Sequence, residues 1–135
     1  MRTVELEVLP ACLAHGIGVI PWSPLASGAL AGVLGDRGKG RRARDLVSQK
    51  LAKHRAQIEA WERLCAERGE EPADVALAWT LAHPAVTAPI IGPRTIDQLT
   101  GALGALDVHL DETAMKRLDE IWPGPGGEAP EAYAW

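Results

Sequence analysis

Only two cysteines occur in the chain, Cys12 and Cys65, far apart and outside any ligand-spaced cluster. That scarcity argues against a disulfide framework or a cysteine-based zinc site, and makes a reducing cytoplasm the expected compartment. No apolar run approaches the ~20 residues that a membrane span requires, so no membrane partner is expected. The start, Met-Arg-Thr-Val-Glu-Leu-Glu, places acids where a secretory signal needs an apolar stretch. What is present is ordinary for a soluble protein: 47% hydrophobic and 24% charged residues over 135 positions. That is enough for one domain, residues 1–135, with a core of its own.

The net charge of −4 conceals an asymmetry. Arg37, Lys39, Arg41, Arg42, Arg44, Lys50, Lys53 and Arg55 meet only Asp36 and Asp45 across residues 36–55, a local +6 that leaves −10 elsewhere. Such a patch can attract phosphates or nucleic acid. No aromatic residue interleaves it, and it grows out of a Gly-rich segment. It reads as a solvated loop and helix face, with no nucleic-acid partner.

Along the chain, Val4, Leu6, Val8, Leu9, Cys12 and Leu13 suggest a helix over 3–15, with Pro10 either in its first turn or kinking it. Ile17–Trp22 is a short apolar run of the kind a doubly buried strand uses. A long Gly/Ser-rich and then Arg-rich loop fills 23–45. Leu51, Ile58, Trp61 and Cys65 recur at helical spacing over 46–68, stopped by Gly69. Pro72 and Asp74 suit the first turn of a helix that is apolar on nearly all sides through Ala82, as in a wedged element. Val86–Ile91 reads as a second buried strand. Thr95-Ile96-Asp97-Gln98 is a capping box that opens a helix carrying Ile96, Leu99, Leu103 and Leu106. A last helix starts at Asp111, with Leu110 and Met115 as a hydrophobic staple, and stops at Pro123. The tail 123–135 is too rich in Gly and Pro to be regular. Strands alternating with helices predict an α/β fold with two parallel strands and about five helices. Two such strands cannot close a barrel, which takes about 250 residues.

Two segments carry chemistry. In Gly18-Val-Ile-Pro-Trp-Ser-Pro-Leu-Ala-Ser-Gly-Ala-Leu-Ala-Gly32 a strand runs into a loop of small residues whose amides and hydroxyls suit a phosphate. In Pro89-Ile-Ile-Gly-Pro-Arg-Thr-Ile-Asp-Gln-Leu99 an arginine stands just before a helix N-terminus. A cation there opposes the helix dipole unless an anion joins it, so Arg94 reads as a phosphate contact. Thr95 and Gln98 serve equally as caps for each other or as ligand contacts.

The pairing of IPWSPLASGALAG with ALAWTLAHPAVTAPIIGPRTIDQL resembles the last two strand–helix units of the aldo-keto reductases. The likeness extends over essentially the whole chain, VELEVLPACLAHGIGVIPW and LDVHLDETAMKRLDEIWPGPG included. It implies a partial (β/α)8 TIM barrel and an NADP(H)-dependent interconversion of carbonyls and alcohols. By the same resemblance Trp22 stacks on the nicotinamide, and Ser23, Leu25 and Ser27 hold the pyrophosphate. Gly92, Arg94, Thr95 and Gln98 then grip the adenosine 2′-phosphate and adenine. The chain departs from the family at Ala102, where an adenine-contacting Asn is frequent, and at Val33, where a base is common. The family's Tyr, Lys, Asp and His lie on earlier strands, so no catalytic residue is expected here. Tyr133 does not match the catalytic tyrosine, and His15, His54, His83 and His109 are read as structural. The resemblance implies a truncated C-terminal region, inactive alone and acting on a small carbonyl substrate only if the missing half is supplied. The alternatives are a docking or self-associating half-barrel without catalysis, and a gene remnant or misplaced start.

Overall fold

The computed structural model describes residues 2–35 and 45–126. The arginines between residues 37 and 44, and the tail beyond 126 with Tyr133 and Trp135, lie outside the described residues. Within them run α1 (Val8–Ala14), α2 (Asp45–Lys53), α3 (Arg55–Arg68), α4 (Pro72–Leu81), α5 (Ile96–Ala102) and α6 (Glu112–Ile121). Short 3-10 turns occupy Thr3–Glu5, Ala26–Gly28 and Leu103–Leu106.

Local chemistry explains most of these bounds. Pro10 falls in the first turn of α1, where its missing N–H costs nothing. Gly69 closes α3 in the left-handed conformation, and Pro72 opens α4 as its first helical residue. Asp111 caps α6 by accepting a hydrogen bond from the Ala114 N–H at 2.7 Å. The single helix expected over 46–68 is instead two, broken at His54, whose backbone leaves the helical region at φ −124° and ψ 29°. No glycine or proline announces that break.

The core lies where α3, α4 and α6 meet. Trp61, Leu64 and Cys65 of α3, Val75 and Ala76 of α4 and Leu118 of α6 are buried together. Leu25 and Leu30 pack on them from the loop after residue 22, and Trp79, Met115 and Trp122 from the helices. Each large side chain buried in this way contributes roughly 1.5–3 kcal/mol. Arg2 ties the start of the chain to the last helix. Its Nε donates to Glu5 at 2.6 Å, while Nη1 donates to Asp119 at 2.6 Å and to the Trp122 carbonyl at 2.8 Å. The guanidinium also lies 5.3 Å from the centre of the Trp79 ring, a cation–π contact.

The expected pair of parallel strands does not form, and the fold is helical rather than a two-stranded piece of a (β/α)8 barrel. Residues 17–22 and 86–91 run alongside each other but meet only at two isolated parallel bridges, Val19 with Val86 and Trp22 with Ile90. At the first bridge the Val19 N–H donates to Ala85 at 2.8 Å, and the Thr87 N–H donates to Val19 at 2.9 Å. The next rung of a parallel ladder would need N–H groups from Pro21 and Pro89, and proline has none. Contact resumes one residue out of step, where the Ile90 N–H donates to the Pro21 carbonyl at 2.8 Å. The approach is nevertheless close: a Cβ on Gly18 would stand 2.2 Å from Thr87 Oγ1. Among the described residues there is no β-sheet.

With Leu118 fully buried at the junction of α3, α4 and α6, Leu118→Ala is expected to lower unfolding free energy by roughly 2–5 kcal/mol. Chemical denaturation measures it. A loss below about 1 kcal/mol would show that the site collapses freely and that the core is centred elsewhere.

Candidate cofactor site

A cavity of about 560 Å3 opens between the loop after residue 22, the first turn of α4 and the N-terminal end of α5. That size lies within the range of small-molecule sites, roughly 300–1,000 Å3. Trp22, Ser23, Leu25 and Ser27 line it from the first motif, and Gly92, Arg94 and Gln98 from the second. Thr95 does not line it. The bridge between Trp22 and Ile90 brings the two motifs side by side although almost seventy residues separate them.

The first wall is a tight, strained loop. Ser23, Ala26 and Ser27 adopt φ values of 57°, 50° and 64°, a left-handed region that non-glycine residues rarely visit. Internal bonds hold it there. The Ser27 N–H donates to Ser23 Oγ at 3.1 Å, the Ala26 N–H to the Ser23 carbonyl at 2.9 Å, and the Gly28 N–H to the Leu25 carbonyl at 2.8 Å. The sequence suggested amides aimed at one anion, yet these three are spent within the loop. The seryl hydroxyls remain, together with a cation that the motif did not reveal: Lys50 of α2 places its ammonium 2.9 Å from the Ala26 carbonyl. Trp22 itself is 81% exposed, its ring uncovered beside the cavity.

The second wall begins with the capping box. Thr95 Oγ1 accepts from the Gln98 N–H at 3.2 Å, and Gln98 Oε1 accepts from the Arg94 N–H at 2.8 Å. Both side chains are thus engaged in starting α5, the structural half of the two roles open to them. The Arg94 guanidinium, by contrast, has no hydrogen bond or ion pair among the described residues. It stands before a helix N-terminus, where an anion is favoured and a lone cation is not.

Two acids complete the lining, Glu71 and Asp74. Burial, and then the charge of Glu71, push the Asp74 carboxyl above the usual carboxylate range. Sequence reasoning took Asp74 only as a dipole partner for α4; nothing local shows that it faces a cavity. The histidines line no part of it. His15 and His54 sit at helix ends, and His83 Nδ1 accepts from the Ala85 N–H at 3.2 Å. Burial pushes the Cys65 thiol up to about 12, which leaves it inert as a nucleophile near neutrality. Among the described residues no group of His, Cys, Asp and Glu could hold a metal, and no helix is long and apolar enough to cross a membrane.

Because folding raises the Asp74 pKa, the folded chain holds that proton more tightly than the unfolded chain, and ionised Asp74 is a penalty to stability. The penalty is fully present above the folded-state pKa and fades as pH falls towards the unfolded value. Asp74→Asn is therefore expected to melt higher than the parent at pH 7, the gap closing below the ordinary carboxylate range. Melting curves across pH test this, and a variant that melts lower at pH 7 would contradict it.

Residues 1–123 match the sequence model of the aldo/keto reductase family. The chain is 51% identical over 134 residues to the uncharacterized oxidoreductase YrpG of Bacillus subtilis, covering 99% of this chain and 41% of that protein. Identity to the versiconal hemiacetal acetate reductase of Aspergillus parasiticus is 36% over 125 residues, 88% of this chain and 36% of that protein. Norsolorinic acid reductase B of Dothistroma septosporum is 29% identical over 131 residues, 94% of this chain and 33% of that protein. The chain thus spans 33–41% of the length of these relatives. The family match runs through both motifs that line the cavity, and the chain belongs to the aldo/keto reductase family.

Proposed function

We propose that the cavity binds NADP(H), and that the chain is the cofactor-binding portion of an oxidoreductase interconverting carbonyls and alcohols. The observation that carries this reading is the Arg94 guanidinium, without a hydrogen bond or ion pair among the described residues and set before the N-terminus of α5 in the same cavity as the Ser23–Ser27 loop. A 2′-phosphate supplies the anion that this cation and helix end lack. Gly92 lets the backbone come close to it, and the Thr95–Gln98 box holds α5 in position. Ser23, Leu25 and Ser27, with the charge of Lys50 nearby, face the pyrophosphate, and the uncovered Trp22 ring stacks on the nicotinamide. The residues fit the group in size, in donors and in charge at each end. Two of the similar proteins are named as reductases, which agrees with this class of chemistry.

Bound NADPH supplies the hydride. The chain's own residues bind and orient it, and no tyrosine, histidine or lysine is among the cavity-lining residues described. We assign proton transfer to groups outside this chain, and the chain by itself is expected not to turn over aldehydes or ketones in an NADPH-oxidation assay. Turnover well above a buffer control, in protein free of host reductases, would contradict that.

A charge-assisted phosphate contact is worth ~1.5–3 kcal/mol, so Arg94→Ala is expected to weaken NADPH binding by about tenfold or more. NADH, which has no 2′-phosphate, is expected to bind almost unchanged. Calorimetric titration distinguishes the cases. Equal losses for both nucleotides would make Arg94 structural, and overturn the assignment of its partner.

A further inference from the structure

We infer that the Asp74 carboxylate reads the adenine end of the nucleotide by accepting a hydrogen bond from its exocyclic amino group; the inference rests on the NADP(H) reading above. Asp74, in the first turn of α4, lines the cavity together with Arg94, Gln98, Gly101 and Ala102. α4 packs against the turn Leu103–Leu106, and a Cβ on Gly104 would stand 3.0 Å from Asp74 Oδ2. The absence of that Cβ leaves room for the carboxylate against the turn that follows α5, at the edge of the cavity lined by Gly101 and Ala102. Gly101 and Ala102, which line the same cavity, bring no hydrogen-bonding side chain and little bulk.

The carboxylate is half-buried, yet among the described residues no N–H, hydroxyl or cation donates to it. An acceptor withdrawn from water without a donor is unfavourable, and a ligand that brings a donor relieves the cost. The raised Asp74 pKa expresses the same desolvation. Phosphate cannot be that partner, since like charges repel, and it is matched instead by Arg94. At the adenosine end of NADP(H) the donors are the adenine amino group and a ribose hydroxyl. Gly101 and Ala102, small lining residues without polar side chains, leave room for the base there.

The two donors separate in one titration of the full chain with NADP+ and with its hypoxanthine analogue, in which the amino group is a carbonyl oxygen. Acceptor then faces acceptor. The parent chain is expected to prefer NADP+ by about tenfold or more, the scale of one hydrogen bond to a charged group. In Asp74→Asn the side-chain amide can turn to offer either a donor or an acceptor, so the two ligands should bind within about twofold of each other. Gly104→Ala keeps the charge but displaces the carboxylate, and should also shrink the preference. Equal affinity of the parent for both ligands would overturn the inference while leaving the NADP(H) reading intact. A preference unchanged in both variants would overturn it too. Failure of the parent to bind either ligand would overturn the NADP(H) reading itself, and this inference with it.

Discussion

The Trp61 indole sits fully buried where α3, α4 and α6 converge, and its Nε1–H donates to the Leu30 carbonyl at 3.3 Å. That bond reaches out of the helical core to the loop forming one wall of the cavity. Leu25 and Leu30 pack on the same core, and the Trp61 ring stacks at a tilt on Trp79 with centroids 6.2 Å apart. The loop's three left-handed residues cost of order 1–3 kcal/mol each and persist only where surroundings over-determine them. Trp61 and its neighbours provide that constraint. The opposite wall is anchored separately, through the buried Ala105 of the turn that packs α5 against α4. A helical core thus fixes two irregular segments whose direct pairing is only two bridges deep.

The cavity so framed is electrically mixed. Arg94 lines it and Lys50 stands at the loop, while Glu71 and Asp74 line the side formed by α4. A purely anionic ligand would meet repulsion along part of its length. A dinucleotide does not, because its phosphates are confined to two places and its base carries hydrogen-bond donors as well as acceptors. On the proposed reading the opposed charges orient the ligand instead of cancelling. The positive groups take phosphate, and the acids exclude it from the remaining surface.

How much of this was legible in the sequence depends on whether the determinant was local. Gly69, Pro72, the Thr95–Gln98 box and Asp111 act within one turn, and each stands where its chemistry places it. The two apolar runs were legible as neighbours but not in their form. A ladder depends on which donors face each other across the pair, and only the register reveals that Pro21 and Pro89 fall on the same rung. The break at His54 left no signature in residue type. The stripe Ile96, Leu99, Leu103 and Leu106 was expected on one helix, yet α5 ends at Ala102, Leu103 and Leu106 fall in the 3-10 turn after it, and all four stand exposed. Periodicity identifies a face, not what covers it. In the cavity, the family resemblance pointed to eight residues, of which Trp22, Ser23, Leu25, Ser27, Gly92, Arg94 and Gln98 line it and Thr95 does not. Asp74 in the cavity lining and Lys50 on the Ala26 carbonyl were not legible, because each comes from a helix whose own pattern explains it without any ligand.

On the proposed reading, two segments far apart in sequence form a single site for one dinucleotide. Backbone amide shifts followed during titration of the full chain with NADP+ test it most directly. Ser27 and Gly28, on one wall, and Gly92 and Thr95, on the other, are expected to shift together along one saturation curve with a common Kd. Shifts confined to one wall, or two walls saturating at different concentrations, would contradict it.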